Sequence, residues 1–330
     1  MGFGKRRHAY LLGFMWGFAL WQPSYSFAVS VPFSLPDELE AVGGMGTAQS
    51  QSGVAVASDL SAIRINPAML FRNQTYDVNG SYFWPALGRP FYKAGVIDGV
   101  TSRNVAAFEY TGFQDNPSFD PNLAKLDTPV LKRASVAIAI PTDFFSLGLA
   151  AHYVEANDYG ENQAPKTLKG FTLGVGLIAY VTDEIRVGLS AQNLNNRNVA
   201  KISPQVLRAG IAWEEKKGNL IFGLDYRERQ RSLGYEWPSD PEFLSLVEPI
   251  AKDYDKPERM VLSNIQVRTF DIVKVFASYG KSLDKIERQQ AGGGLGLFHK
   301  TFSLAYAVNK NLPAKSELQS SLNLSFSTKM

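Results

Sequence analysis

The chain has 330 residues, no cysteine, three histidines and a formal net charge of +3 at pH 7. The missing cysteines exclude a disulfide framework, a cysteine-linked lipid and thiolate metal sites, and so few histidines leave little for zinc or histidine-based catalysis. Basic residues are dispersed along the chain, which leaves no electrostatic footprint for nucleic acid. We therefore predict no cofactor, no metal and no nucleic-acid partner.

The first residues have the order of a secretory signal peptide. Basic residues occupy positions 5–7, an apolar run covers 9–21, and small side chains stand at Ser26 and Ala28. A membrane anchor is the alternative, but the apolar run is too short to cross a bilayer comfortably, and Pro23 follows it. We predict a signal peptide over residues 1–28, and hence export.

Most of the remaining chain alternates between apolar and polar side chains, which is the periodicity of a two-faced β-strand. The clearest case runs from Ile185 to Gln192, where every second residue is apolar. An even number of strands, about fourteen, is predicted, as outer-membrane barrels require. They lie near residues 74–84, 91–100, 104–112, 132–140, 144–155, 168–181, 184–193, 205–214, 219–228, 259–269, 272–280, 288–298, 301–309 and 317–327.

The connections between these strands alternate between short and long. Tight turns are predicted near 141–143, 182–183, 215–218, 270–271 and 299–300, and longer polar loops near 113–131, 156–167, 194–204, 229–258, 281–287 and 310–316. Short turns at one end and long loops at the other are typical of an up-and-down barrel, with the short turns in the periplasm. A sandwich with Greek-key crossovers does not produce this alternation.

The apolar faces need either a cover or a lipid environment. The only helix-like segment that could cover a sheet lies near residues 242–252, within one loop. An unpaired backbone N–H or C=O group in lipid costs several kcal/mol, so only a closed sheet can turn an apolar face to acyl chains. The predicted fold class is therefore all-β, a transmembrane antiparallel up-and-down β-barrel. A periplasmic sheet protein that never enters lipid is the weaker alternative.

Residues 41–70 fit neither a strand nor a long helix. Small and polar residues follow a glycine cluster, and Asn66 before Pro67 predicts a helix N-cap followed by proline at the first helical position. Such a segment buries too little apolar surface to fold by itself. The residues that define it are Gly43, Gly44, Met45, Gly46, Asn66, Pro67 and Ala68.

This glycine cluster, followed by small residues and Asn-Pro-Ala just before the first strand, resembles the N-terminal hatch of the FadL superfamily. That superfamily includes long-chain fatty acid transporters and the PorV-like proteins of type IX secretion. The resemblance implies a hatch over residues 29–72 inside the lumen of a barrel over 73–330, with Asn66, Pro67 and Ala68 as its anchor and the glycine cluster as its mobile part. It implies location in the outer membrane of a Gram-negative-type bacterium, with membrane lipid and the barrel-assembly machinery as partners.

Two functions follow from the resemblance. The first is passive passage of a hydrophobic or amphipathic small molecule past the hatch, through a hatch rearrangement and a lateral opening in the wall. The second is a PorV-like plugged barrel that docks a protein partner for secretion or surface attachment. The chain departs from the fatty acid transporters in being short and in having polar loops at 113–131 and 156–167.

Two further groups of residues are candidates for binding. Charges on the polar strand faces are expected to point into the lumen, either as ordinary solvated charges or as a basic strip for an anionic head group: Glu109, Arg186, Arg208, Asp225, Arg227, Arg268 and Lys274. The longest loop contains apolar residues that either pack on the barrel rim or form a landing surface for a ligand or partner: Trp237, Phe243, Leu244, Val247 and Ile250.

No catalytic constellation can be assembled from the sequence. There is no Gly-x-Ser-x-Gly motif, and His152 lies on a predicted strand without a recognisable serine partner. We therefore predict that the protein is not an enzyme.

Overall fold

In the computed structural model, the described residues are 52–85, 91–113, 131–158, 166–200, 203–230, 232–236, 250–254, 257–270, 272–284, 289–312 and 318–328. The predicted signal peptide and the glycine cluster at 43–46 lie outside these residues.

Fourteen antiparallel strands form one closed barrel, and two more form a separate hairpin. The barrel closes because β1 pairs with β16 from Tyr76 opposite Thr328 to Pro85 opposite Gln319. The strands are β1 Tyr76–Pro85, β2 Phe91–Asp98, β3 Val105–Phe113, β4 Leu131–Pro141, β5 Phe145–Asp158, β6 Lys166–Tyr180, β7 Ile185–Leu194, β8 Val206–Glu214, β9 Leu220–Arg229, β10 Ser232–Glu236, β11 Ile250–Tyr254, β12 Glu258–Thr269, β13 Val273–Ser282, β14 Gln289–Phe298, β15 Phe302–Leu312 and β16 Leu318–Thr328.

The predicted fold class and strand number are confirmed. The prediction of a helix near 242–252 is wrong where the structure describes that segment, because Ile250–Tyr254 pairs with β10 as a strand. Pairing of the backbone with a neighbouring strand outweighs a short helical spacing of apolar residues. The other residues of the predicted apolar loop surface, Trp237, Phe243, Leu244 and Val247, lie outside the described residues.

Apolar side chains face outward along the wall, and polar or small ones face inward. In β7, for example, Val187 and Leu189 are exposed on the outside, while Arg186, Gly188 and Ser190 are buried on the lumen side. A closed sheet with an apolar outer surface satisfies its backbone within the ladder and presents only side chains to lipid. The chain is therefore a transmembrane β-barrel.

The described part of the N-terminal segment lies inside the barrel. It contains one short helix, α1 Ala62–Ile65, and a 3₁₀ helix, Pro67–Arg72. The Asn66 side chain accepts a hydrogen bond from the backbone N–H of Ala68, which confirms the predicted cap with proline at the first helical position. Among the described residues, no helix is long and apolar enough to cross a membrane. We refer to residues 52–72 as the plug.

We expect Leu189→Arg, at the middle of β7, to destabilise the barrel by about 2–4 kcal/mol, because the charge must enter hydrocarbon near the bilayer midplane. Urea titration of the protein in lipid vesicles, followed by heat-dependent gel mobility, measures this. Asp183→Arg is the control, since Asp183 is exposed in a turn between β6 and β7. Equal stability of the two variants would contradict a lipid-facing wall.

A plug seated in the barrel lumen

The plug and one side of the wall share a single apolar cluster. Nearly every plug residue from Val54 to Leu70 that contributes to the cluster is fully buried. The wall contributes mostly small side chains from β2 to β8, and these leave room for the plug: Ile97, Val105, Ala107, Ala137, Ala139, Ala150, Ile178 and Ala212. Apolar packing therefore holds the plug against one side of the lumen.

Three inward-facing glycines on neighbouring strands lie directly against the plug, and we call Gly148, Gly176 and Gly188 the glycine seat. A Cβ atom at Gly148 would lie 2.0 Å from the backbone nitrogen of Ala68, and one at Gly176 would lie 2.0 Å from Oδ1 of Asn66. At Gly188 the distance to the Val54 carbonyl oxygen would be 2.8 Å. No larger residue fits these positions while the plug stays in place.

The plug has little regular secondary structure, so the wall must satisfy part of its backbone. A buried carboxylate on β9, Asp225, accepts hydrogen bonds from the backbone N–H groups of Gly53 and Val54, the latter at 3.2 Å. Gly210 is the cross-strand neighbour of Asp225, and a Cβ there would overlap the carboxylate. The missing side chain on β8 thus lets the Asp225 carboxylate reach the plug.

Other wall side chains bind plug carbonyl groups. Arg186 donates from Nε to the Ala55 oxygen at 3.1 Å, and Ser190 donates from Oγ to the Ile65 oxygen at 2.6 Å. From β8, Arg208 donates to the Arg64 oxygen at 3.3 Å. These anchors, together with Asp225, lie on three adjacent strands, so the plug is attached along one face of the lumen.

Within the plug, Asn66 connects three backbone segments. Its Nδ2 donates to the Val54 oxygen at 2.9 Å and to the Leu177 oxygen of β6 at 3.1 Å, while its Oδ1 accepts from the Ala68 N–H.

Asp59 lies at the turn before α1. Burial raises the pKa of its carboxyl group, and hydrogen bonds from Ser61 oppose this shift.

Two ion pairs also join arginines of the plug to glutamates of the wall. Arg64 of the plug lies 3.2 Å from Glu109 of β3, whose other oxygen lies 3.7 Å from Lys93 of β2, and all three side chains are buried. At the end of the 3₁₀ helix, Arg72 binds both carboxylate oxygens of Glu214, at 2.8 and 3.1 Å. Since burying these ions costs desolvation free energy, each depends on its partner being present.

The structure also places the remaining charges named from the sequence. Arg227 is buried on the lumen side of β9, 3.6 Å from Glu258. Arg268 and Lys274 lie opposite one another on β12 and β13, beside a cavity at the short-turn end. Sequence reasoning predicted Glu109 as a lumen charge but missed Arg64, its partner in the plug. The two residues are 45 positions apart, and only the fold brings them together.

The fold pairs His152 with a serine that no sequence motif indicates. His152 does have a serine partner, since its Nδ1 lies 2.9 Å from Oγ of Ser135 on the neighbouring strand. The other ring nitrogen lies 3.4 Å from the amide oxygen of Gln192 instead of a carboxylate. The cavity beside this histidine is only about 10 Å³, which is too small for a substrate.

The described residues contain no group of three or more acidic or histidine side chains placed to hold a metal ion.

We expect Gly148→Ala to lower the unfolding free energy by about 1–3 kcal/mol, because the new methyl group overlaps the plug backbone. Protease cleavage within residues 52–72 should become faster at the same time. Gly80→Ala is the matched control, since a Cβ at that position on β1 meets nothing within 4 Å. The proposed seat would be contradicted if Gly148→Ala and Gly80→Ala behaved alike.

Glu109→Gln should cost about 3–5 kcal/mol, because it leaves two buried cations without their carboxylate. Glu228→Gln is the comparison, since Glu228 pairs with Arg259 in a largely exposed ion pair worth at most about 1 kcal/mol. Both variants are compared by urea titration in vesicles. Similar losses would show that the ion pair between Arg64 and Glu109 does not hold the plug.

Comparison with solved structures finds the same architecture. The Ralstonia pickettii toluene transporter TbuX matches with a TM-score of 0.59 and 13% identity, over 88% of this chain and 98% of that chain. The CymD monoaromatic hydrocarbon channel matches with a TM-score of 0.57 and 11% identity, over 88% and 97%. The P. putida toluene transporter TodX matches with a TM-score of 0.54 and 10% identity, over 88% and 99%.

No protein-family model matches the sequence, and no match to it was found among curated proteins. The comparison therefore rests on three-dimensional structure, at identities that establish the fold. By fold, the chain is a closed antiparallel β-barrel of the same architecture as TbuX, CymD and TodX.

Proposed function

We propose that this protein lies in the outer membrane and lets a hydrophobic or amphipathic small molecule pass passively past the plug. The observation that supports this most strongly is that the barrel closes without any strand from the plug. Wall strands pair only with one another, so displacing the plug breaks side-chain anchors and apolar contacts but no ladder hydrogen bond. The plug can therefore move while the wall stays intact.

The arrangement of the anchors gives this movement a direction. Wall side chains from β3, β7, β8 and β9, and a backbone carbonyl of β6, hold the plug on one side of the lumen. Between the plug residues Val56 and Ser58 and the strands β9, β12 and β13 lies a cavity of about 370 Å³ at the short-turn end. A molecule passing the plug would leave by this side, where the plug stands away from β12 and β13.

The similar structures are described as transporters of toluene or channels for monoaromatic hydrocarbons. Their fold supports the same class of cargo here, a small apolar compound or an amphipathic one. No observation on the described residues favours the alternative, a docking barrel for a protein partner. The lateral opening implied by the resemblance and the absence of enzymatic activity both stay predictions.

The test measures uptake of radiolabelled toluene and laurate by whole cells, because lipopolysaccharide, rather than a simple lipid bilayer, is the barrier to such compounds. A deletion strain should take up one or both probes more slowly, and the cloned gene should restore the rate. A protein that co-purifies in stoichiometric amount from a detergent extract, with no uptake defect in the deletion strain, would contradict the proposal and favour docking.

Weakening one anchor should speed passage. In Asp225→Asn the acceptor for the N–H groups of Gly53 and Val54 loses its charge, and we expect uptake of the transported probe to rise roughly threefold or more. Asp183→Asn is the matched control, because it makes the same chemical change in an exposed turn. Unchanged uptake in a stably folded Asp225→Asn protein would show that plug movement does not limit passage.

A further inference from the structure

The cavity at the short-turn end has an unusual charge. Its lining contains five basic side chains, from the plug, from the β8–β9 turn and from the facing strands: Arg72, Lys216, Lys217, Arg268 and Lys274. Among the described residues, the one acidic side chain in the lining is Glu214. That carboxylate is already occupied, because it binds Arg72 through both oxygens and also pairs with Arg186.

Two of the cations face each other directly. Arg268 on β12 is the cross-strand partner of Lys274 on β13, and both side chains point into the lumen. Like charges in directly opposite positions destabilise a sheet. Lys274 gains some compensation, since its Nζ lies 4.4 Å from the centroid of the Phe298 ring. Among the described residues, no carboxylate pairs with either Arg268 or Lys274.

The rest of the lining suits a small organic molecule. Gln266, which is 94% buried, lines the cavity, and its Nε2 has no hydrogen-bond partner among the described residues. Val56 and Ile221 add an apolar side. A volume of about 370 Å³ lies at the lower end of the range for ligand pockets, which begins at roughly 300 Å³.

We infer that this cavity binds a small organic carboxylate at the short-turn mouth of the barrel. The carboxylate would lie between Arg268 and Lys274, whose repulsion it relieves, and the guanidinium of Arg268 offers a planar fork that matches a carboxylate. The apolar side of the cavity would contact the body of the ligand. The inference goes beyond the proposed passage, because binding here can be measured on a barrel that transports nothing.

The experiment measures binding of benzoate to the detergent-solubilised full barrel at low salt, by isothermal titration calorimetry. Benzyl alcohol, which has a similar size and no charge, and inorganic phosphate are titrated in parallel. The test variant is Arg268→Gln with Lys274→Gln. The control is Arg103→Gln with Lys300→Gln, which removes the same charge from two exposed turns at the same end of the barrel.

We expect benzoate to bind the parent and the control alike, and to bind the test variant at least about tenfold more weakly, since charge-assisted hydrogen bonds are lost. Benzyl alcohol should not bind measurably. Without ligand, the test variant should melt at the same temperature as the parent or higher, because the like-charge repulsion is gone, and benzoate should raise the melting temperature of the parent only.

Three results would overturn the inference. Benzoate binding that is unchanged in a folded Arg268→Gln, Lys274→Gln protein would place the site elsewhere. Equal weakening in the Arg103→Gln, Lys300→Gln control would show a general effect of net charge. Binding of phosphate without binding of benzoate would contradict the assignment to an organic carboxylate. None of these results bears on whether toluene or laurate crosses the membrane.

Discussion

The structure depends on one constraint, which is that every backbone N–H and C=O group removed from water needs a hydrogen-bond partner. The wall meets it by closing on itself, since the pairing of β1 with β16 leaves no free edge among the fourteen barrel strands. The plug cannot meet it alone, because its regular structure amounts to one short helix and one 3₁₀ helix. Side chains of the wall therefore complete the hydrogen bonding of the plug, and this ties the plug to its place in the lumen.

The lumen face of the wall is adapted to this task in two ways. Glycines at 148, 176 and 188 leave space where the plug passes close to the wall. Polar wall side chains stand where N–H and C=O groups of the plug point toward the wall, namely Asp225, Arg186, Ser190 and Arg208. Both features are concentrated between β5 and β9. Next to these strands, a cavity lies beside β12 and β13 at the short-turn end. Under the proposed function, the plug would move away from β12 and β13 without unfolding the wall.

Much of the barrel could be predicted from the sequence, because side-chain alternation has a strict period of two wherever one face is apolar and the other is not. Predicted and observed bounds of β7, for instance, differ by one residue at each end. The β10–β11 hairpin was missed, since a helical spacing of apolar residues from 243 to 250 says nothing about which strand residues 250–254 would pair with. Asn66 and Pro67 could be predicted as a cap because capping is local in sequence.

The plug's attachment could not be predicted in the same way. A glycine such as Gly148 within a strand pattern predicts weakness or a bulge, and only the fold shows that a backbone lies against it. The ion pair between Arg64 and Glu109 and the hydrogen bond between Ser135 and His152 depend on register and on the path of the plug, neither of which the sequence pattern contains.

The most direct test of the account uses the absence of native cysteine. Nitroxide labels at Leu189→Cys and Ser190→Cys, introduced one at a time into the full barrel in lipid vesicles, are compared by electron paramagnetic resonance with oxygen, which concentrates in lipid, and with a water-soluble nickel chelate. We predict that the label at 189 is accessible to oxygen and protected from nickel, and that the label at 190, beneath the plug, is protected from both. Strong nickel accessibility at both positions would contradict a lipid-facing wall around a plugged lumen.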